Sequence, residues 1–232
     1  MTAVELGAGS VESLYPFLSA ETNDVDTVLD EVRRSTQAKA REIIRLRDEV
    51  RRRYREEIVE CAAAMADRLA SGGRLLAFGN GGSSTDAQDL ASLFMHPGQG
   101  ATALPAIGLT SDVAVVTALS NDVGFDVVFA RQIAAFGRGG DVAVGLSTSG
   151  NSANLLGAFE EAARRGLLAV GIAGDEGGKM AESRHIDHLF VVPSTSVHRI
   201  QEAQTTLYHA LWETTLLALG TGGTADVPRD SR

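Results

Sequence analysis

The chain has 232 residues, a length typical of one domain. Its net charge of −9 disfavours nonspecific nucleic-acid binding, because an acidic surface repels phosphodiester backbones. No apolar stretch approaches the roughly 20 residues that a membrane-spanning helix needs, so we expect no membrane partner. The N-terminus lacks a signal-peptide pattern, and Cys61 is the only cysteine, so we expect a cytoplasmic protein without an intrachain disulfide.

Taken in chain order, the sequence predicts one long helix and then alternating strands and helices. Residues 1–24 show no periodic pattern and are expected to form an irregular arm. Residues 25–69 contain no Pro or Gly, and apolar side chains recur there at helical spacing. Because about forty residues is long for one globular helix, we expect a break or two packed helices. The tail, residues 220–232, is expected to be disordered.

The middle of the chain is predicted to form an α/β fold. Short apolar runs predict strands at residues 74–78, 106–109, 141–146, 167–172 and 188–192. Helical patterns cover residues 85–95, 112–119, 125–136, 153–165 and 197–219. Nearly continuous apolar strands that alternate with helices are typical of a doubly wound parallel sheet covered on both faces. We expect residues 25–219 to form this one domain.

Two loops of small residues follow predicted strands, at the edge where ligands bind in such sheets. The first is Gly79–Ser83, with the sequence GNGGS, and the second is Ser147–Ser152, with the sequence STSGNS. Each precedes a helix, so backbone N–H groups, hydroxyls and the positive end of the helix dipole are expected to meet there. Four hydroxyls among six residues indicate a site for a phosphate monoester.

Neither loop matches a nucleotide-binding motif, so we expect no nucleotide cofactor. The first lacks the G-x-G-x-x-G pattern, and neither contains the Gly-Lys-Ser/Thr of a P-loop. A structural alternative is that Ser147 and Ser152 cap a helix while Gly79–Gly82 turn the chain. Two such loops at the strand ends of one sheet favour the ligand site over this alternative.

Four motifs together resemble the SIS-domain phosphoheptose isomerases. They occur in that family's order and spacing, at Phe78–Ser83, Ser147–Asn154, Gly174–Ala181 and Arg199–Glu202. The similarity extends over residues 38–218. It implies a homotetramer of flavodoxin-like SIS domains, with long N- and C-terminal helices. It also implies a sugar-phosphate partner, the interconversion of sedoheptulose 7-phosphate with heptose 7-phosphate, and a zinc ion.

The resemblance also implies which residues contact the substrate. The phosphate is expected on Ser147, Thr148, Ser149 and Ser152. The sugar is expected to contact Asn80, Gly81, Gly82, Ser83, Asn121, Asp122 and Gln201. Asn121 and Asp122 are predicted to stand in a loop after a short helix, where the alternative is a simple turn.

The sequence departs from the family at two active-site positions. Aldose–ketose isomerisation needs a base that moves a proton between neighbouring carbons. In the family, the helix after the first loop carries a metal-binding His and, four residues on, a Glu that is the usual candidate base. Here these positions are Asp89 and Leu93, and leucine can neither accept a proton nor bind a metal. Asp89 is therefore the candidate replacement, as base and as metal ligand.

Gln201 and His209 match the family's metal- or substrate-binding Gln and its catalytic His. The implied metal set is thus Asp89, Gln201 and His209, with His209 and Asp89 as the catalytic pair. Because eight residues span about 12 Å along a helix, Gln201 and His209 favour a site shared between subunits.

Two functions remain open at this point. The first is a sugar-phosphate isomerase, favoured by the intact loops and by His209. The second is a non-catalytic phosphosugar sensor or adaptor, favoured by Leu93 in place of the Glu.

Overall fold

The computed structural model describes residues 25–98 and 100–220. The arm predicted for residues 1–24 and the tail predicted beyond Gly220 lie outside the described residues. The chain divides into two compact units, one ending at Ile44 and one beginning at Arg45. Helix α1 (Val25–Ala70) is continuous, so the expected break is wrong. Its sequence contains neither of the residues that most often interrupt a helix, Pro and Gly.

Within residues 25–98 and 100–220, five parallel strands form one sheet, in agreement with the predicted α/β class. They are β1 (Leu75–Gly79), β2 (Ala106–Gly108), β3 (Val142–Leu146), β4 (Leu168–Gly174) and β5 (His188–Val192). The strand order is β2-β1-β3-β4-β5, and every neighbouring pair is parallel. This is the flavodoxin-like order, with its switch point between β1 and β3. The doubly wound prediction is confirmed.

Helices connect and cover the strands close to the predicted positions. They are α2 (Gly82–Met95), α3 (Val113–Asp122), α4 (Val128–Phe136), α5 (Ala153–Arg165), α6 (Gly178–Ala181) and α7 (Val197–Ala218). The segment predicted as one helix over residues 125–136 begins instead with a 3₁₀ turn, Phe125–Val127. None of the helices in the described part of the chain combines the length and the hydrophobicity that a bilayer span requires.

The core lies on both faces of the central strands. Every residue of β1, β3 and β4 is buried, which explains their nearly continuous apolar sequences. The rings of Phe129 and Phe159 pack 5.5 and 5.2 Å from the ring of Phe78. A Cβ on Gly145 would lie 2.5 Å from Phe159 and 2.7 Å from Phe78. The central strand therefore needs a glycine where these rings cross it.

Asp141 links the N-terminal ends of β1 and β3 through hydrogen bonds. Its carboxylate is 3% exposed. It accepts hydrogen bonds from the Arg74 backbone N–H at 2.9 Å, the Arg74 guanidinium at 2.9 Å and the Arg138 N–H at 3.0 Å. Because β1 and β3 lead into the two small-residue loops, Asp141 helps to fix the strands that carry the candidate site.

Tyr54 of α1 protects an outer edge of the sheet. Its hydroxyl accepts a hydrogen bond of 2.9 Å from the N–H of Val191 in the edge strand β5. Its ring packs edge-on against Phe190, with the centroids 5.3 Å apart. The side chain is buried, so the edge N–H is satisfied without water.

We predict that Asp141→Asn lowers the free energy of unfolding by about 1.5–3 kcal/mol, because hydrogen bonds to a charged acceptor are lost in a buried setting. Urea denaturation followed by circular dichroism measures this change. The control is Asp48→Asn, which removes an exposed ion-pairing carboxylate on α1 and should leave the urea midpoint unchanged. Equal midpoints for the two variants would contradict the anchoring role of Asp141.

Candidate functional site

The glycine loop, Gly79–Ser83, joins β1 to α2. A Cβ on Gly79 would lie 2.5 Å from the Ser83 carbonyl oxygen and 2.9 Å from the Leu146 oxygen of the neighbouring strand. Gly81 has a φ of 55°, in the left-handed region that favours glycine. Ser83 is buried, and its N–H donates to the Asn80 carbonyl at 3.1 Å. Close contacts at Gly79 and the left-handed backbone at Gly81 thus favour glycine, and the side chain of Ser83 is almost fully shielded from solvent.

Gln201 lies against the glycine loop. A Cβ on Gly82 would overlap the Nε2 atom of Gln201. Any residue larger than glycine at this position would displace the Gln201 side chain. The structure therefore brings together Gly82 of the first loop and Gln201 of the last helix, which are far apart in the sequence.

The hydroxyl loop, Ser147–Ser152, joins β3 to α5. Ser147 is buried, and its Oγ accepts a hydrogen bond of 3.0 Å from the Gly150 N–H, so it shapes the loop from below. Ser149 is exposed, and Thr148 and Ser152 are partly exposed. Ser152 occupies the N-cap position of α5 without a hydrogen bond from its side chain to the helix. The capping alternative therefore describes neither Ser147 nor Ser152.

A third glycine-rich segment, Gly174–Gly178, packs against the hydroxyl loop. A Cβ on Gly150 would overlap the Gly177 carbonyl, and a Cβ on Gly178 would overlap the Ser149 carbonyl. The Met180 N–H donates to the Gly150 carbonyl at 3.0 Å. Close backbone contact on this side therefore fixes the loop and leaves Ser149 at the surface.

Asn80 and Asn154 join the two loops. Each side-chain amide donates to the other's carbonyl oxygen, at 2.9 Å in both directions. Asn154, the second residue of α5, is 2% exposed. Asn80, predicted to contact the sugar, therefore also holds the glycine loop to the helix that follows the hydroxyl loop.

Asn121 and Asp122 lie elsewhere than predicted. They form the last turn of α3, so both the predicted loop and its simple-turn alternative are wrong. The helix extends three residues beyond the predicted end, Leu119, because no Pro or Gly interrupts it before Gly124. The side chains are exposed, and the Asn121 amide donates to the Asp122 carboxylate at 2.8 Å.

Asp89 of α2 and His209 of α7 lie side by side. The Asp89 carboxylate accepts a hydrogen bond of 2.7 Å from the Tyr208 hydroxyl, and its Oδ2 is 3.7 Å from His209 Nε2. The Asp89 side chain is 50% exposed and that of His209 40% exposed. The His209 ring meets the edge of Trp212 at a centroid distance of 6.1 Å. Burial, together with the hydrogen bond to Asp89, raises the pKa of Tyr208 above its usual range, so its hydroxyl stays a proton donor.

Asp86 is a second carboxylate near this pair. It lies one helical turn after Gly82 on α2, and its Oδ2 atom is buried without a hydrogen-bond partner. Burial, with the nearby charge of Asp89, raises the pKa of Asp86 to about 6. A carboxyl group that titrates near neutral pH can accept or release a proton at physiological pH.

The implied zinc ligands do not converge in one chain. Gln201 lies against Gly82, whereas His209 lies beside Asp89. Gly82 and Asp89 are seven residues apart on α2, which separates the two contacts by about 10 Å along the helix axis. Within the described residues, no group of three His, Cys, Asp or Glu side chains could hold a metal ion. The donor set of Asp89, Gln201 and His209 therefore does not fit a zinc ion in a single chain. Leu93, also on α2, is partly buried and adds no ligand.

Four residues of the site were missed or left without a role by sequence reasoning. They are Asp86, Asn154, Gln204 and Tyr208. Gln204 is 0% exposed, and its Nε2 donates to the Ser147 carbonyl. A glutamine in the apolar stripe of the last predicted helix was the only sequence signal for it.

Comparison with known proteins identifies the family. Residues 40–174 match the family model of the SIS domain. A phosphoheptose isomerase of Aquifex aeolicus is 43% identical over 161 residues, covering 69% of this chain and 83% of that protein. One of Thermodesulfovibrio yellowstonii is 40% identical over 178 residues, covering 74% and 85%.

Solved structures agree with this assignment. The phosphoheptose isomerase of Neisseria gonorrhoeae superposes with a TM-score of 0.71 at 38% identity, over 78% of this chain and 96% of that one. The enzyme of Francisella tularensis superposes with a TM-score of 0.69 at 32% identity, over 84% and 100%. The chain belongs to the phosphoheptose isomerase family of SIS-domain proteins.

Proposed function

We propose that the chain interconverts the aldose and ketose forms of a sugar phosphate, with sedoheptulose 7-phosphate as the ketose. The observation that carries this proposal is the pairing of two ligand loops at adjacent strand ends, joined by Asn80 and Asn154. The names of the relatives from Aquifex aeolicus and Neisseria gonorrhoeae support the same reaction.

The hydroxyl loop is proposed to bind the phosphate group. It stands at the N-terminus of α5, a helix of 13 residues, where free N–H groups and the helix dipole favour an anion. The loop itself contains no Lys or Arg, so N–H groups and the hydroxyls of Thr148, Ser149 and Ser152 supply its donors. Ser147 supports the loop from below through its bond with Gly150.

The sugar is proposed to extend from the hydroxyl loop across the glycine loop. The backbone of Gly81 and Gly82 and the side chains of Asn80 and Gln201 lie on this path. Glycine allows a sugar chain to approach the backbone closely, and the two amides can donate to and accept from sugar hydroxyls.

Isomerisation moves one proton from C2 of the open-chain aldose to C1, and the proton of the C2 hydroxyl to the C1 oxygen. A base takes the carbon proton to form an enediol, and the resulting acid returns it to the neighbouring carbon. Asp89 is the proposed base, held in place by the Tyr208 hydroxyl. His209, at 3.7 Å from Asp89, is proposed to move the proton between the two oxygens. No step is assigned to a metal, because the implied ligands do not converge.

Asp86 is a second candidate for the base. Asp86 is half-buried with an unpartnered oxygen, whereas Asp89 is half-exposed and hydrogen-bonded. A carboxylate oxygen without a hydrogen-bond partner has a lone pair available to accept a proton from the substrate. Asp86 would therefore act as the base if its proton is lost at the working pH, above about 6.

A non-catalytic phosphosugar sensor is the second candidate function. The family resemblance implies a Glu where this chain has Leu93, and that departure favours the sensor. A sensor keeps the phosphate and sugar contacts but turns no substrate over, so binding and turnover measured together separate the two functions.

We also propose a cytoplasmic homo-oligomer, a tetramer, that associates through α1 and α7. Val59 on α1 and Leu217 on α7 are 57% and 63% exposed. Residues such as Val50 and Ile58 of α1 and Leu207 of α7 line a groove of about 340 Å³ between the two helices. Apolar surface on two long helices is typical of a face that a second copy covers.

The phosphate site predicts the effect of removing two hydroxyls. Replacing both Ser149 and Ser152 with alanine should weaken binding of sedoheptulose 7-phosphate by about two orders of magnitude or more, because each of the two charge-assisted hydrogen bonds contributes roughly 1.5–3 kcal/mol. Isothermal titration calorimetry measures the dissociation constant. The control is Ser71→Ala, at an exposed serine at the end of α1. An unchanged affinity in the double variant would remove the hydroxyl loop from the site.

The two carboxylates predict separable effects on turnover. Asp89→Asn should lower kcat by about 10²–10⁴, the usual contribution of a general base, while affinity stays nearly intact. Exchange of the C1 and C2 hydrogens in D₂O measures proton transfer directly. Asp67→Asn, on the exposed face of α1, is the control.

Turnover that survives Asp89→Asn but is lost in Asp86→Asn identifies Asp86 as the base, and kcat should then fall below pH of about 6 as that carboxyl becomes protonated. Turnover that survives in both variants contradicts both assignments. Binding without hydrogen exchange in the wild type rejects the isomerase in favour of the sensor.

Light scattering at micromolar concentration should give the mass of a tetramer. Leu217→Glu places a charge on the exposed face of α7 and should shift the mass to a smaller species. Phe136→Glu, which changes an exposed apolar residue of α4 instead, should leave the mass unchanged. A monomeric wild type would refute the assembly.

A further inference from the structure

Gln204 is a buried polar residue of α7 that the proposed chemistry does not use. It is 0% exposed, and its neighbours on the same face of the helix, Ile200 and Leu207, are buried and apolar. Burial of an amide group is unfavourable unless hydrogen bonds compensate for the lost water. The hydrogen bonds that Gln204 makes therefore indicate what the residue does.

The Gln204 amide binds the start of the hydroxyl loop to the neighbouring strand. Its Nε2 atom is 3.0 Å from the Ser147 carbonyl oxygen and 3.3 Å from the Ile172 carbonyl oxygen. The Ser147 N–H also donates to the Ile172 carbonyl, at 2.9 Å. One side chain thus fixes two carbonyls where the pairing of β3 with β4 ends, at Leu146 and Ile172.

Backbone contacts hold the other side of the same loop. The Gly150 carbonyl accepts a hydrogen bond from the Met180 N–H, and a Cβ on Gly174 would lie 2.5 Å from the Thr148 carbonyl. Along the chain, Thr148 and Ser149 lie between Ser147, which Gln204 holds, and Gly150, which Met180 holds. Because hydrogen bonds weaken steeply with distance and angle, a small shift of the loop start would weaken several contacts to one anion together.

We propose that Gln204 is a positioning residue for phosphate binding. Its amide fixes the Ser147 and Ile172 carbonyls, and so directs the donors of Thr148 and Ser149 toward one phosphate monoester. Gln204 does not contact the phosphate itself. The proposal rests on the proposed function, in which the hydroxyl loop binds the phosphate group of the substrate.

The second polar atom of Gln204 makes a clean test possible. Its Oε1 atom is buried and has no hydrogen-bond partner. Methionine has a similar length and carries neither the donor nor the unsatisfied acceptor. Gln204→Met therefore removes the two hydrogen bonds to the loop while relieving an unfavourable buried oxygen, which limits the loss of stability.

The experiment measures dissociation constants for inorganic phosphate and for sedoheptulose 7-phosphate by calorimetry, together with the melting temperature. Gln204→Met is expected to raise both constants by about tenfold, the effect of losing one or two positioned hydrogen bonds. Gln204→His supplies an N–H donor to the same carbonyls and should stay within about threefold of the wild type. The control is Gln132→Met, because Gln132 is also buried and donates to a carbonyl of its own helix, that of Val128.

Wild-type affinity in Gln204→Met overturns the proposal. Equal weakening in Gln132→Met also overturns it, because a general loss of stability then explains both results. If Gln204→Met does not fold, Gln204→Leu, which is also apolar and carries no donor, takes its place with the same expected result. A wild type that binds no phosphate rejects the proposed function as well. Binding that is lost without Ser149 and Ser152 hydroxyls but kept in Gln204→Met rejects the proposal for Gln204 alone.

Discussion

The site depends on how closely the chain approaches itself where β1 ends. Gly79 pairs in register with Leu146, and a side chain at Gly79 would collide with the carbonyls of both Leu146 and Ser83. Only glycine permits this contact. Because Gly79 and Leu146 are paired, the glycine loop and the hydroxyl loop begin side by side at the carboxyl ends of β1 and β3. The Asn80–Asn154 pair can then join them, and Gln201 can lie against Gly82.

Most of the fold could be predicted because its signals are local. Strand β5 has the bounds predicted from its apolar run, and α5 ends at Arg165, directly before Gly166, which adopts the left-handed conformation expected of a helix-ending glycine. The expected break in α1 was wrong because it rested on length alone, while the residues of that helix all permit it to continue. Local patterns also did not distinguish the 3₁₀ turn at Phe125–Val127 from the helix after it.

The site could be predicted only in part, because its contacts join distant segments. The two loops were found from their composition, whereas the hydrogen bonds from Gln204 to Ser147 and from Tyr208 to Asp89 cross 57 and 119 residues. Helical and strand periodicities relate residues only a few positions apart, so they cannot predict contacts between segments this distant in the sequence. The separation of Gln201 from His209, by contrast, follows from their spacing along one helix, and the structure places them beside different parts of α2.

The hydrogen bond between Tyr54 and Val191 has a consequence for solubility. An edge strand with free N–H and C=O groups invites another chain to add a strand, which is the first step toward fibrillar aggregates. In β5 the Val191 N–H already donates its hydrogen bond to the Tyr54 hydroxyl, and the Tyr54 ring packs against Phe190. The opposite edge, β2, is only three residues long. Both margins of the sheet are therefore poor templates for strand addition.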